Sequence, residues 1–161
     1  MHRKSLFVLG LFALSLSACQ NASTKDANQD QTDTSSQAEE NTNTPPAVPD
    51  GARVFFANLN EGDTLTSPFL VEFGIEGMEV EPAGEVNEGK GHHHIIINNS
   101  YIEFGGTVPA DSVNIHYGGG QTSDSLDLNP GNYSLTMQFA DGYHRSYGEQ
   151  LSSTINVVVI N

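Results

Sequence analysis

Tryptophan is absent and cysteine occurs once, at Cys19. A single thiol closes no intrachain disulfide, so this chain owes its stability to burial and not to covalent staples. Basic residues are scarce, 6 Lys and Arg against 20 Asp and Glu, for a formal net charge of −14. A field of that sign repels nucleic acid and anionic headgroups and attracts cations. No apolar run reaches the ~20 residues that a comfortable membrane-spanning helix needs. No stretch carries an amphipathic 3.6-residue period. P-loop, nucleophile-elbow and EF-hand patterns are missing too. Gly118-Gly119-Gly120 lacks the Lys-Ser/Thr that phosphate cradling requires. Among the acids no spacing singles out a glycosidase pair, and Ser-His-Asp ingredients occur without a motif. No residue is assigned a catalytic role, and the reading leans away from an enzyme.

What is present begins at the N-terminus. His2, Arg3 and Lys4 precede a mostly apolar stretch from Leu6 to Leu16, the layout of a secretory signal peptide over residues 1–18. Leu16-Ser17-Ala18-Cys19 resembles the lipobox of bacterial lipoproteins. That resemblance implies lipidation of Cys19 and a membrane anchor on the extracytoplasmic side. Gln20, where an Asp would imply inner-membrane retention, points to the outer membrane if the cell has one. An acylated Cys19 is not available as a thiolate ligand. After it come four bases, Lys25, Arg53, Lys90 and Arg145, against all 20 acids, a net charge of −16.

Residues 19–50 are rich in Asn, Gln, Ser, Thr and acids and hold no aromatic side chain. Such a segment buries too little apolar surface to offset its ordering entropy, so it is expected to be a disordered tether ending at Pro45-Pro46 and Pro49. Residues 51–161 are long enough for one independently folding domain. Their apolar residues alternate with period two. Strands are expected at 53–57, 69–75, 92–97, 125–128, 133–139 and 155–160, separated by turn signals such as Asn60-Glu61-Gly62-Asp63 and Asn129-Pro130-Gly131-Asn132. This spacing predicts an all-β domain, an immunoglobulin-like antiparallel β-sandwich.

Five of the six histidines lie in that domain: His92, His93, His94, His116 and His144. On a strand, alternate side chains share a face at ~3.3 Å per residue, so His92 and His94 point one way and His93 the other, with Ile95 and Ile97. Two imidazoles at i and i+2 suit a single metal ion, with His116 and His144 as further ligands. Neutral imidazoles favour copper or zinc. Met78 and Met137 are isolated, which weakens the case for a Cu(I) site. Asp141 is placed to orient a ligand, and Gly118, Gly119 and Gly120 to let backbone approach the site closely. His93, Tyr117 and Gln121 complete the residues expected to shape it. Glu76, Glu79, Glu81, Glu85 and Glu88 read as a solvated acidic loop.

Several segments together resemble the bacterial domain-of-unknown-function family 4399: Gly77-Met78, Pro82-Ala83-Gly84, Gly91 through Ile97, Pro109-Ala110-Asp111, His116 through Thr122, Leu128-Asn129-Pro130-Gly131, and Asp141 with His144. The resemblance implies that the histidine segments belong to the domain pattern; it implies no activity. Family members often carry a further His-Pro-rich stretch where this chain has Arg145-Ser146-Tyr147-Gly148-Glu149. In architecture, Pro130-Gly131-Asn132-Tyr133, the Asp141…His144 pair, Gly148 and a final strand are similar to the periplasmic copper-resistance β-sandwich proteins. The leading expectation is an envelope lipoprotein whose domain binds a divalent metal. The alternatives are a protein- or glycan-binding envelope module with structural histidines, and, third, a metal-dependent hydrolase.

Overall fold

The computed structural model describes residues 44–161. The strands in order are β1 (Arg53–Phe56), β2 (Thr64–Thr66), β3 (Phe69–Glu76), β4 (Glu79–Val80), β5 (Lys90–Ile97), β6 (Asn114–His116), β7 (Ser123–Leu126), β8 (Gly131–Ala140) and β9 (Ser152–Ile160). Their alternation decides which side is buried. In β3, Phe69, Val71 and Phe73 are buried while Leu70 and Glu72 face solvent. In β9, Ile155, Val157 and Val159 are buried between exposed neighbours. A period of two on one apolar face requires a second sheet to cover it.

Two sheets meet that requirement. One has the order β1-β3-β7; the other has the order β2-β9-β8-β5-β4, with β6 also on β5. Between them Val54, Phe56, Phe69, Val71, Phe73 and Leu126 pack against Ile95, Ile97, Leu135, Met137, Ile155, Val157 and Val159. The expected β-sandwich is therefore the fold. Its long pairings are antiparallel, but the short edge pairings β2–β9 and β4–β5 are parallel. Leu135 is wholly buried in this core. Leu135→Ala is expected to cost about 2–5 kcal/mol, the usual range for a buried leucine leaving a cavity, read as a lower urea midpoint at unchanged slope.

β5 differs from an ordinary sandwich strand because it is buried on both faces. His93, Ile95 and Ile97 face the core; His92, His94 and Ile96 face outward, yet each is fully or nearly fully buried. The cover comes from the chain between β5 and β6 and from the turn after β8. Thr136 Oγ1 donates to the Asn99 carbonyl (2.9 Å), the Ile102 amide donates to Gln138 Oε1 (3.1 Å), and the Ser146 hydroxyl donates to the Ile102 carbonyl (2.6 Å). Gln138 Nε2 donates to the carbonyls of Gly148 and Leu151, both at 3.1 Å. This second layer turns the outward side of β5 into an enclosed site.

Three differences from the sequence reading have local causes. β2, β4 and β6 span two or three residues each, too short to show alternation. β7 runs from 123 to 126 rather than 125 to 128, because Asp127 and Leu128 turn to bond the Ser67 hydroxyl instead of β3. Residues 45–50, expected to be linker, carry packed side chains. Pro45 is buried, and Val48 packs on the cluster of Ala52, Met78, Phe139, Tyr147 and Leu151. The expected signal peptide, Cys19 and the expected tether up to residue 43 lie outside the described residues. Among the described residues no helix is long and apolar enough to cross a membrane.

Candidate metal centre

Three separate segments deliver imidazoles to the outward face of β5. His92 and His94 come from β5 itself by strand alternation. His116 is the last residue of β6 and stands directly opposite His94 in the β5–β6 register, which puts the two side chains on one face. His144 comes from the turn after β8, whose Ala140 pairs with His92. The four rings form one cluster. Centroid separations are 4.8 Å for His92–His94, 5.1 Å for His92–His116, 5.0 Å for His92–His144, 5.1 Å for His94–His116, 4.6 Å for His116–His144 and 6.0 Å for His94–His144. Ligating nitrogens of His92, His94 and His116 all lie within 4.8 Å of one another.

The nitrogens face inward. Nε2 of His92 and Nε2 of His94 are 3.0 Å apart, and Nε2 of His116 and Nε2 of His144 are 3.1 Å apart. An ion with ~2.0–2.1 Å bonds to imidazole requires neighbouring nitrogens about 2.9 Å apart in a square and about 3.3 Å apart in a tetrahedron. The two observed pairs fall between those limits, and the nitrogens of His92, His94 and His116 lie within 4.8 Å of one another, so this cluster can hold a metal ion once its rings draw together. Its composition, imidazole without thiolate or carboxylate, suits Zn(II) or Cu(II).

The environment holds His92, His94 and His116 in the form a metal needs. Burial, and then the neighbouring histidines His144 and His116, push His92 down to about 4 from its ordinary 6.5. Burial and the histidines around it push His94 down to about 2. His116, at the half-exposed side of the cluster, is also lowered, first by its burial and then by His144. Neutral imidazoles keep a lone pair free at neutral pH, which is the state that ligates.

Asp141 has a different role from the one expected. Its side chain reaches no histidine ring; it builds the turn that carries His144. Oδ1 accepts from the amides of Tyr143 and Arg145, both at 2.9 Å, and Oδ2 accepts from Arg145 Nε at 2.7 Å. The His144 amide donates to the Asp141 carbonyl (2.9 Å), and His144 takes a φ of 64°. That is the left-handed region, unusual for a residue with a Cβ and held here by the fully buried carboxylate. Asp141→Ala is expected to destabilise the fold by about 1–3 kcal/mol, the cost of buried donors losing their acceptor, and to weaken metal binding through His144. Denaturant melts and a metal titration on the same variant check both halves.

The remaining expected site residues divide cleanly. Gly118 belongs to the site: the His116 ring lies against it, and a Cβ there would collide with Cε1 and Nε2 of that ring. Gly120 has a φ of 77° and closes the turn by donating to the Tyr117 carbonyl (3.1 Å). Gly119 and Gln121 stay at the surface, where the Gly119 amide donates to Gln121 Oε1 (2.9 Å). They shape the turn and not the cluster. Tyr117 points the other way from His116, into the core against Phe73 at 4.5 Å. His93 likewise faces the core, between Phe73 (5.3 Å) and Phe139 (4.9 Å). Both follow from strand parity. Gly91 and Gly142 were missed. A Cβ on Gly91 would strike the Ala140 carbonyl, and one on Gly142 the Glu85 carbonyl. Their position next to His92 and two residues before His144 was the available signal.

A search of curated proteins gives no match, and a search of solved structures gives none. The family described as Domain of unknown function (DUF4399) matches residues 71–160, which takes in all four clustered histidines and every strand from β4 to β9. The chain belongs to the DUF4399 family.

Proposed function

We propose that this protein is a lipid-anchored module of the cell envelope that binds one divalent copper or zinc ion through His92, His94, His116 and His144. The observation that carries the reading is the convergence of four imidazoles from three segments, with Nε2 atoms paired at 3.0 and 3.1 Å. Packing four weakly basic rings together, two of them fully buried, gains little for a core that aliphatic side chains would fill better. A shared ion explains the arrangement. The −14 formal charge of the chain adds a long-range field that attracts cations. The anchor rests on Leu16-Ser17-Ala18-Cys19 and its resemblance to a lipobox, with the segment after Cys19 as a spacer from the bilayer.

Isothermal titration of the purified protein with Cu(II) and Zn(II) tests the metal reading. One ion per chain is expected, tighter than about 10 μM for at least one of the two metals. Weaker binding of both, or more than one equivalent at similar affinity, overturns it and leaves the histidines as a structural network in an envelope interaction module. Labelling with a radioactive fatty acid in the native host tests the anchor; Cys19→Ser is expected to abolish the label.

A further inference from the structure

The segment Glu81-Pro82-Ala83-Gly84 bears no ligand, yet its neighbours place it at the centre of the histidine cluster's supports. Three backbone hydrogen bonds leave this segment, and each goes to a different histidine-bearing stretch. The Glu81 amide donates to the carbonyl of Gly91, next to His92 (2.7 Å). The Ala83 amide donates to the carbonyl of Gly118, the glycine under the His116 ring (2.9 Å). The Gly84 amide donates to the carbonyl of Gly142, two residues before His144 (3.0 Å).

The glycines at these points are there for contact and not for an unusual backbone. None of Gly91, Gly118 and Gly142 has a positive φ. At Gly142 the Glu85 and Gly84 carbonyls occupy the space of a Cβ, and a Cβ on Gly120, in the turn after His116, would come within 3.5–3.6 Å of the backbone of Glu81 and Pro82. Beyond Glu85 the segment returns to β5 through a closed loop. The Asn87 side-chain Nδ2 donates to both carboxylate oxygens of Glu81 (3.1 and 3.3 Å), and the Glu79 backbone amide donates to the Gly89 carbonyl (2.9 Å).

We propose that residues 81–85 are a positioning strap, a single segment that ties the carriers of His92, His116 and His144 together and sets the spacing of the metal ligands. The inference rests on the metal reading above and deepens it by naming what holds the site in shape. Metal sites demand ligand placement within ~0.5 Å, and side chains from three separate segments do not hold that tolerance unaided. The strap meets the need with main-chain bonds, so side-chain identity within it matters less than its path.

The test uses Gly142→Ala, whose Cβ strikes the Glu85 carbonyl and pushes the strap away from the His144 turn, and Ala83→Pro, which deletes the N–H given to Gly118 without touching His144. Val157→Ala, a core change on β9, is the control for destabilisation alone. Each variant of the full-length protein is titrated with Cu(II), its electron paramagnetic resonance spectrum is recorded, and the metal-free imidazole nitrogens are followed by NMR. Both strap variants are expected to bind Cu(II) about 10- to 100-fold more weakly, the usual effect of losing a ligand's outer support. Their copper spectra should change, and the His116 and His144 ring resonances should move without metal, while Val157→Ala leaves affinity and spectrum as in the parent. Wild-type affinity and unshifted rings in both strap variants overturn the strap. Absence of metal binding by the parent overturns the metal reading instead, and the metal-free ring resonances still decide whether the strap positions the histidines.

Discussion

The His92→Ala/His94→Ala double variant is expected to lose metal binding altogether on the scale of a titration, a fall of more than about 100-fold, because weakening even an outer partner of a ligand costs 10- to 100-fold. These two rings are the fully buried half of the cluster and present Nε2 atoms to one another at 3.0 Å. They form the floor of the site; His116 and His144 close it from the more exposed side. The same loss should appear as stability. An ion that binds only the folded state stabilises it by about 2.7 kcal/mol at a free concentration 100 times its Kd. For a domain of this size that is a rise of several degrees in Tm. The parent should show this shift with Cu(II) or Zn(II), and the double variant should show none. The opposite sign is expected without metal: removing two buried imidazoles that repel protons leaves the fold less sensitive to acid. A double variant that still gains the full shift would place the ion elsewhere and sink the four-histidine site.

Half of this site is local information and half is not. The placement of His92 and His94 on one face, and of His93 on the other with Ile95 and Ile97, follows from strand parity alone; Tyr117, expected to shape the site, lies in the core instead. The partnership of His116 with His94 depends on β6 lying antiparallel on the edge of β5. A three-residue strand carries too little pattern for that pairing to be read from the chain. His144 depends on a turn in which a buried carboxylate holds a left-handed φ. A sequence displays Asp141 and His144 three residues apart but not which atoms meet. Asp141, expected to orient a ligand, acts on the backbone: its carboxylate accepts from the amides of Tyr143 and Arg145 on either side of His144. The strap is harder still. Main-chain bonds from residues 81–84 leave no side-chain signature, apart from the glycines that receive them.

Between pH 6.5 and about 4 the metal-free protein is expected to lose stability steadily, and His93 is the cleanest contributor. Its ring is fully buried between Phe73 and Phe139, with no hydrogen-bond partner at either nitrogen. Burial, and then the nearby His92, push its pKa down to about 4 from 6.5. The unfolded chain therefore takes up a proton at this residue as pH falls below 6.5, while the folded protein does not until about pH 4. Stability rises with pH wherever the unfolded state holds more protons, so the contribution is intact above pH 6.5 and is lost as acid is added. At pH 5 the loss is about 2 kcal/mol from His93 alone, at roughly 1.4 kcal/mol per pH unit. His92 and His94, lowered in the same direction, add to it. Urea melts at pH 7 and pH 5 measure the total. His93→Leu isolates one part: it removes two buried, unpartnered nitrogens from an apolar wall and places an aliphatic side chain of similar volume there. The variant is expected to be more stable than the parent at pH 7, with a wider margin at pH 5 and a shallower slope between them. Its metal affinity should be retained, because His93 points away from the cluster. A His93→Leu protein that is less stable at both pH values would mean that this ring finds polar partners in the core, and the acid sensitivity would then belong to the clustered histidines alone.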